Sequence, residues 1–181
     1  MRSLFLHVLT VFIGVVAIHS AAQAQTSIGI VDIQKVISES SAGKSIQAQV
    51  EEQKKAFQAE LSKIEQELKD AQKSLVEQKD KLSKEEFATQ RQDFDQKRAE
   101  TSTLVQKRKA GLDRAFTEAL QTLEKEIMAI IKGISTERKF DLVLSRNNVF
   151  VGNDSLDISN EVTERLNKAL QEVKVEVKEV K

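Results

Sequence analysis

The chain has 181 residues and contains no cysteine, proline, tryptophan or tyrosine. Charged residues make up 31% of it and aromatic residues 4%, a balance that indicates a solvated helical rod rather than a thick globule. The 28 basic residues balance 28 acidic ones, so the net charge gives no general reason to bind nucleic acid or an anionic membrane. The absence of cysteine excludes a disulfide framework.

The first 24 residues have the pattern of a cleaved secretory signal peptide. Arg2 supplies the positive charge, Leu4 to Ile18 is a nearly continuous apolar run, and Ala22-Gln23-Ala24 matches an A-x-A cleavage site. We expect a mature chain that begins at Gln25 and is exported through a bacterial inner membrane. An uncleaved anchoring helix is the alternative. Cleavage would remove both histidines and Arg2, leaving 27 basic residues (28 minus Arg2) against 28 acidic ones.

A strand and a short helix are predicted directly after the cleavage site. Thr26 to Val31 is apolar and β-branched enough for a buried strand. Asp32 is placed to cap a helical turn over Ile33 to Ser38, and the serine-rich stretch from Glu39 to Gly43 predicts a joint before the next helix.

Apolar residues then recur with coiled-coil spacing along two successive segments. The step of five residues from Leu82 to Phe87 would rotate the apolar stripe by about 140° in an unbroken helix, so we expect a break there. Ser83 and Glu86 have the spacing of a capping box, which predicts that a new helix begins near Lys84. The predicted seam contains Phe57, Leu61, Ile64, Leu68, Ala71, Leu75 and Leu82 before the break, and Phe87, Phe94, Thr101, Val105 and Leu112 after it.

The residue numbers of facing seam positions predict that the second helix folds back on the first. Five seam pairs each sum to 169, as expected for antiparallel helices that reverse near residue 84: Leu82 with Phe87, Leu75 with Phe94, Ile64 with Val105, Phe57 with Leu112, and Val50 with Ala119. We expect arms of roughly 35 to 50 residues, or about 50 to 75 Å. Polar residues interrupt the seam, so the arm should bend more easily than an all-leucine coiled coil. These residues are Lys54, Gln78, Arg91, Arg98 and Arg108.

Beyond Leu112 the apolar stripe becomes denser than one partner helix can cover, which predicts entry into a packed body. Phe140 to Ser145 alternates like a strand, and Arg146-Asn147-Asn148 predicts a tight turn into a second strand over Val149 to Val151. Ser159 is expected to cap a terminal helix. The dense stripe consists of Leu112, Phe116, Leu120, Leu123, Ile127, Ile130, Ile131 and Ile134.

The predicted fold class is α+β, a long antiparallel helical hairpin on a small β body. Three short strands leave exposed sheet edges, and a long hairpin on so small a base needs more buried area than one chain offers, so we expect self-association. We assign residues 25–43 and 113–181 to the body and residues 44–112 to the arm, with its tip near residues 82–87. The body residues expected to support oligomerisation are Ile28, Ile30, Ile127, Ile131, Phe140, Leu142 and Leu144.

The predicted mature chain offers little for catalysis. It lacks histidine and cysteine, its carboxylates alternate with lysines as on a solvated helix, and it has no phosphate-binding loop, so we predict neither an enzyme nor a cofactor. Asn153, Ser155, Asp157 and Glu164 have the spacing of a calcium loop. However, Ile158 stands where the loop requires glycine, and a loop leading into a capped helix explains the same residues.

Two clusters on the arm are candidate binding residues. Lys107, Arg108 and Lys109 could contact a phosphate or an acidic ligand, although a solvated helix surface explains them as well. The apolar residues of the tip either pack the coiled coil or contact an apolar client. The tip residues are Leu82, Ser83, Glu86, Phe87 and Phe94.

The order of these segments resembles the Skp/OmpH family of periplasmic chaperones for outer-membrane proteins, over essentially the whole mature chain. The resemblance rests on the opening strand-to-helix segment, the tip, the later strand and the closing helix. Their sequences are Ile28-Gly29-Ile30-Val31-Asp32, Leu82-Ser83-Lys84-Glu85-Glu86, Phe140-Asp141-Leu142-Val143-Leu144, and Leu156-Asp157-Ile158-Ser159 continuing to Leu166-Asn167-Lys168.

The resemblance implies a homotrimer whose three chains together form a small β-barrel body, with three helical hairpins around a cavity. It also implies an ATP-independent periplasmic holdase, which keeps unfolded outer-membrane proteins in that cavity until they reach the insertion machinery. Some members are strongly basic, whereas this mature chain is nearly neutral, so a lipopolysaccharide site is not carried over. The alternative is a structural coiled-coil spacer or scaffold of the cell envelope, but charged seam residues favour the holdase because a spacer would gain from rigidity.

Overall fold

The computed structural model describes residues 26–178, so the predicted signal peptide lies outside the described residues. None of the helices in this range has an apolar stretch that could cross a membrane. The elements are β1 (Ile28–Val31), α1 (Ile33–Glu39), α2 (Ser41–Gln78), α3 (Lys84–Arg138), β2 (Leu142–Ser145) and α4 (Ser159–Ala169), with short 3-10 helices at Arg146–Asn148 and Asp154–Leu156.

The fold is α+β, with a two-stranded parallel sheet in the body. Ile28 of β1 pairs with Leu142 of β2, and the register continues to Val31 and Ser145. On its other side, β1 makes an isolated parallel bridge from Ile30 to Asp157, and the N–H of Ile158 donates to the Ile30 carbonyl at 2.8 Å. β1 is therefore the central strand of the body.

The prediction of a β-hairpin, with a second strand at residues 149–151, is wrong. Residues 146–148 form a 3-10 helix, the N–H of Val149 donates to the Arg146 carbonyl, and residues 149–151 are not a strand. β2 pairs instead with β1, which precedes α2 and α3 in the chain, and the two strands are parallel. Within residues 26–178, the edge of β2 opposite β1 therefore has no strand partner.

The hydrophobic core lies where α2, α3, α4 and the sheet meet. One face of α3 enters it, since Leu123, Ile127, Ile131 and Ile134 are buried at helical spacing. This confirms the predicted change of character beyond Leu112, although Phe116 of the same stripe is exposed. Each fully buried aliphatic side chain contributes about 1.5–3 kcal/mol. The largest fully buried side chains are Ile46, Leu123, Ile127, Ile134, Ile158 and Leu166.

The joint between α1 and α2 is one residue long, shorter than the predicted Glu39 to Gly43. Ser40 caps α2, its hydroxyl accepting from the N–H of Gly43 and donating to the Ile37 carbonyl. A Cβ on Gly43 would lie 1.7 Å from the Ile37 carbonyl oxygen, so this close approach requires glycine. The predicted cap of α1 is confirmed, since the Asp32 carboxylate accepts from the N–H of Lys35.

Ser159 does not cap α4, contrary to the prediction. The N-cap position is Ile158, and the buried Ser159 hydroxyl accepts from the N–H of Asp32 at 2.8 Å. The N–H of Ser159 donates to the Asp157 carboxylate. Ser159 therefore joins the start of α4 to the junction between β1 and α1.

Candidate functional site

The arm is formed by most of α2 and the first half of α3, helices that are 38 and 55 residues long in full, or about 57 and 83 Å. The chain reverses between Gln78 and Lys84, which confirms the predicted break and the antiparallel return. Seam side chains are half-buried, because two helices can cover only one side of each other. The half-buried seam positions include Phe57, Leu61, Ile64, Leu68, Ala71, Leu75, Leu82, Phe87, Phe94, Thr101, Val105 and Leu112.

The tip is fixed by the predicted capping box. The Ser83 hydroxyl oxygen accepts from the N–H of Glu86 at 3.2 Å, and the Glu86 carboxylate accepts from the N–H and the hydroxyl of Ser83 at 3.0 and 2.8 Å. These hydrogen bonds from Ser83 lower the pKa of Glu86 below its usual range. A charged Glu86 also interacts favourably with the N-terminal dipole of α3.

The apolar tip residues are placed at the seam between the helices. Leu82 and Phe87 are half-buried where the chain reverses. Phe94 borders a shallow hollow together with Ala71 and Leu75, and the guanidinium of Arg98 lies over its ring at 5.9 Å from the centroid. These contacts explain the tip residues as helix packing, and contact with a client stays a prediction.

The polar seam positions contribute no buried side chain to the arm. Gln78 is half-buried and donates to the Ser74 hydroxyl at 2.9 Å, whereas the four charged seam residues are exposed. Two ion pairs cross between the helices, Lys97 with Glu67 at 2.6 Å and Arg108 with Glu60 at 3.8 Å. Exposed pairs of this kind contribute about 0–1 kcal/mol each. The exposed charged seam residues are Lys54, Arg91, Arg98 and Arg108.

The basic cluster does not converge on one site. Lys107, Arg108 and Lys109 are all exposed, but only Arg108 and Lys109 line a cavity between the helices, and Arg108 also pairs with Glu60. Anion binding by the three residues together stays a prediction.

A groove at the base of the arm, here called the base groove, runs between residues 53–61 of α2 and 105–113 of α3. Its volume is about 710 Å³. Half-buried Phe57, Leu61, Val105 and Leu112 supply its apolar lining, and charged residues of both signs surround them. Those charged residues are Lys54, Glu60, Arg108, Lys109 and Asp113. Val177 closes the end of the groove that faces the body.

Val177 belongs to the C-terminal tail, residues 172–178, which lies extended between α2 and α3. Val173 and Val175 are buried, whereas the intervening Lys174 is exposed. The Gln49 side chain holds the tail backbone, its Nε2 donating to the Val173 carbonyl at 2.8 Å and its Oε1 accepting from the N–H of Val175 at 2.9 Å.

The tail also packs closely against α3. A Cβ on Gly111 would lie 3.2 Å from Cγ1 of Val177, and Lys178 lies 3.5 Å from the Glu118 carboxylate. The predicted body, residues 113–181, included the tail, which instead contacts α2 and α3 at the base of the arm. The available signal was the alternation of valine with charged residues from Val173 to Val177.

The predicted oligomerisation residues fall into two groups. Ile30, Ile127 and Ile131 are buried inside the single chain, so they belong to its own core rather than to its surface. Ile28, Phe140 and Leu144 are half-buried, and Leu142 is 47% exposed. Two further apolar residues that the prediction did not include, Phe150 and Val151, are almost completely exposed.

Within residues 26–178, no three histidine, cysteine or acidic residues lie close enough together to hold a metal ion. The side chains with calcium-loop spacing make local hydrogen bonds instead. Asn153 accepts from the N–H of Ser155, and Asp157 accepts from the N–H of Ser159. Burial tends to raise the pKa of Asp157, but the Ser159 hydrogen bonds and the charges of Lys35 and Arg146 hold it below its usual range.

Comparison with known proteins places this architecture in a family. A family model described as outer membrane protein (OmpH-like) matches residues 27–166. The structure is similar to the crystal structure of an OmpH-like protein from Caulobacter crescentus CB15, with a TM-score of 0.82 and 19% sequence identity over 87% of this chain and 93% of that chain. At this identity the likeness shows a shared fold, and no curated protein matches the sequence. Because the family match spans most of its length, the chain belongs to the OmpH-like family.

Proposed function

We propose that the protein is an ATP-independent periplasmic holdase that encloses unfolded outer-membrane proteins between helical arms and prevents their aggregation. Membership of the OmpH-like family supports this function, and the Caulobacter protein of similar fold is described as a candidate outer membrane chaperone. The observation that carries the proposal is the arm, a long helical hairpin whose seam is half-buried and interrupted by charges.

Such an arm suits clients that differ in size and sequence. Strands of outer-membrane barrels alternate apolar and polar residues, and they aggregate in water when their apolar faces are exposed. Because weak ion pairs and half-buried side chains hold α2 and α3 together, the arm should deform at low cost around different clients. A spacer would gain from a more rigid, apolar seam, so the arm favours the holdase over the scaffold alternative.

The enclosure requires several arms, and we propose a homotrimer joined through the body. Exposed Phe150, Val151 and Leu142 give the body an apolar surface, and the edge of β2 lacks a strand partner in the described chain. A neighbouring copy could cover the apolar surface and pair with the free edge of β2, and the number three comes from the family resemblance.

The location and the ligands follow from the same proposal. Export to the periplasm rests on the predicted signal peptide, residues 1–24, and on the family. Lipopolysaccharide is not proposed as a ligand, because Lys107, Arg108 and Lys109 do not line one site.

Suppression of client aggregation tests the function. A urea-unfolded outer-membrane porin is diluted into buffer with the purified mature protein, without nucleotide, and light scattering is followed. We expect scattering to fall to near the buffer level at about one trimer per porin, with serum albumin at equal mass concentration as the control. Unchanged scattering at several trimer equivalents would overturn the holdase and leave the scaffold alternative, and suppression only with added ATP would overturn the proposed mechanism.

A further inference from the structure

One channel runs between α2 and α3, and it contains the C-terminal tail at one end and the base groove at the other. The tail fills the part of the channel nearest the body, and the base groove continues from Val177 toward the tip. Val177 contacts both parts, since it packs beside Gly111 and lines the groove. The occupied part therefore shows which kind of chain the channel accepts.

The channel accepts the tail as an extended strand with apolar side chains at every second position. Val173 and Val175 point into it and are buried, whereas Lys174 and Glu176 remain in solvent. The Gln49 amide satisfies one carbonyl and one N–H of the tail, as a neighbouring strand would, and so recognises backbone rather than side-chain identity.

The open part of the channel has matching chemistry. Phe57, Leu61, Val105 and Leu112 offer an apolar lining at half-buried seam positions. Charged residues of both signs border it, where they could pair with lysine and glutamate at the alternate positions of such a strand.

We infer that the base groove is a binding site for extended client segments with apolar side chains at alternate positions. The identity of the client rests on the proposed holdase function, because strands of outer-membrane proteins have this pattern. The inference adds to that function a defined site on each chain where one strand of the client is held in line with the tail, apart from any enclosure in a cavity.

The test uses a fluorescein-labelled nonapeptide in which valine alternates with lysine and glutamate, and binding to the mature protein is measured by fluorescence anisotropy. Ala56 and Ala59 are exposed on the same helix, but only Ala56 lines the groove. Ala56→Trp should fill the groove and weaken binding at least about tenfold, whereas the matched control Ala59→Trp should bind like the parent. Circular dichroism would show whether Ala56→Trp perturbs the fold. Gln58→Trp, at a second exposed groove position, is the alternative variant in that case and should weaken binding to the same extent.

A control peptide of the same composition, with its valines consecutive, should bind at least about tenfold more weakly. Equal binding of the two peptides, or equal binding by Ala56→Trp and Ala59→Trp, would overturn the inference. The porin scattering assay separates the two proposals. Suppression of porin aggregation without peptide binding defeats only the groove, whereas failure in both assays defeats the holdase as well.

Discussion

Arg165 connects α4 to the end of α3 through its guanidinium group. Nη1 and Nη2 donate to the two carboxylate oxygens of Glu137 at 2.8 and 2.6 Å, and Nη2 also donates to Glu161 at 2.7 Å. The hydrogen bonds from Arg165 lower the pKa of Glu137 below its usual range. Because this pair lies at the surface, we expect it to adjust the stability of the body rather than to determine whether it folds.

The contribution of Glu137 should disappear in acid. A carboxyl group whose pKa is lower in the folded state stabilises the fold above its unfolded pKa, near 4.3 for glutamate, and this effect is lost as the pH falls through the folded pKa. Glu137→Gln should therefore lower the melting temperature at about pH 7, and the difference from the parent should shrink below about pH 4. Thermal unfolding followed by circular dichroism tests this. Glu164→Gln, an exposed change on α4, is the control, and a difference independent of pH would contradict the assignment.

The capping box at the tip gives a second prediction for a single residue. Ser83→Ala removes the acceptor for the N–H of Glu86, a loss that costs about 1 kcal/mol at a helix N-terminus. The amide of Phe87, which donates to the Ser83 carbonyl, should then exchange with deuterium about fivefold faster, because opening of the first turn becomes easier. Ser102→Ala, an exposed change in the middle of α3, should leave that rate unchanged. Equal rates in Ser83→Ala and the parent would show that the tip does not depend on this cap.

These serines show which caps the sequence could predict. Ser83 was predictable because both partners of the capping box lie within three residues of each other. Ser159 was not, because its hydroxyl accepts from Asp32, more than a hundred residues away in the chain. Local spacing predicts local hydrogen bonds, whereas a serine before a helix can also serve a distant segment.

At the scale of whole elements, the arm was predictable from periodicity. The sum of 169 holds in the structure, where Leu75 and Phe94 border the same hollow and Phe57 and Leu112 line the same groove. The β-hairpin prediction was wrong because β2 pairs with β1, more than a hundred residues earlier in the chain, while residues 146–148 form a 3-10 helix that local turn signals do not distinguish from a hairpin turn. The position of the tail was missed as well, since its partner is a groove between helices and its alternation resembles a strand.

Neighbouring positions on α2 allow a matched test of the seam. Leu75 is half-buried against α3, whereas Val76 is 73% exposed. Leu75→Asp should place a charge against Phe94 and destabilise the arm, so amides near the tip should exchange at least about tenfold faster, while Val76→Asp should have little effect. Hydrogen exchange with mass spectrometry measures this, and light scattering should give the parent mass for both variants. Equal protection in the two variants would contradict the pairing of α2 with α3.

For the whole molecule, the division between core and exposed body residues makes oligomerisation testable. Phe150→Asp should dissociate the proposed trimer without unfolding the chain, because Phe150 is almost fully exposed in the single chain. Light scattering should show the mass falling by about two thirds, and circular dichroism should show unchanged helix content. Val76→Asp on the arm is the control. A Phe150→Asp variant that keeps the parent mass would exclude this surface from the interface.

Ile30→Asp is expected to behave differently from Phe150→Asp. Ile30 is 2% exposed in the single chain, so its replacement buries a charge in the core and should lower the melting temperature together with the mass. The sequence predicted the buried Ile30 and the exposed Leu142 alike as oligomerisation residues and did not include Phe150, because periodicity identifies apolar positions without showing which copy of the chain covers them. The α+β class, the helical hairpin, its tip and the strand at residues 142–145 could be predicted, whereas the conformation of residues 149–151 and the tail contacts depended on long-range packing.

The uninterrupted length of α3 has a mechanical consequence. Its first turn lies at the tip and its last turns are locked in the core, with β2 beginning four residues after it ends. A tilt of about 5° around Leu123 would displace Lys84 by about 5 Å, given 1.5 Å per residue over that span. α3 is therefore a lever, and a load that spreads the tips exerts torque on the sheet to which it is attached.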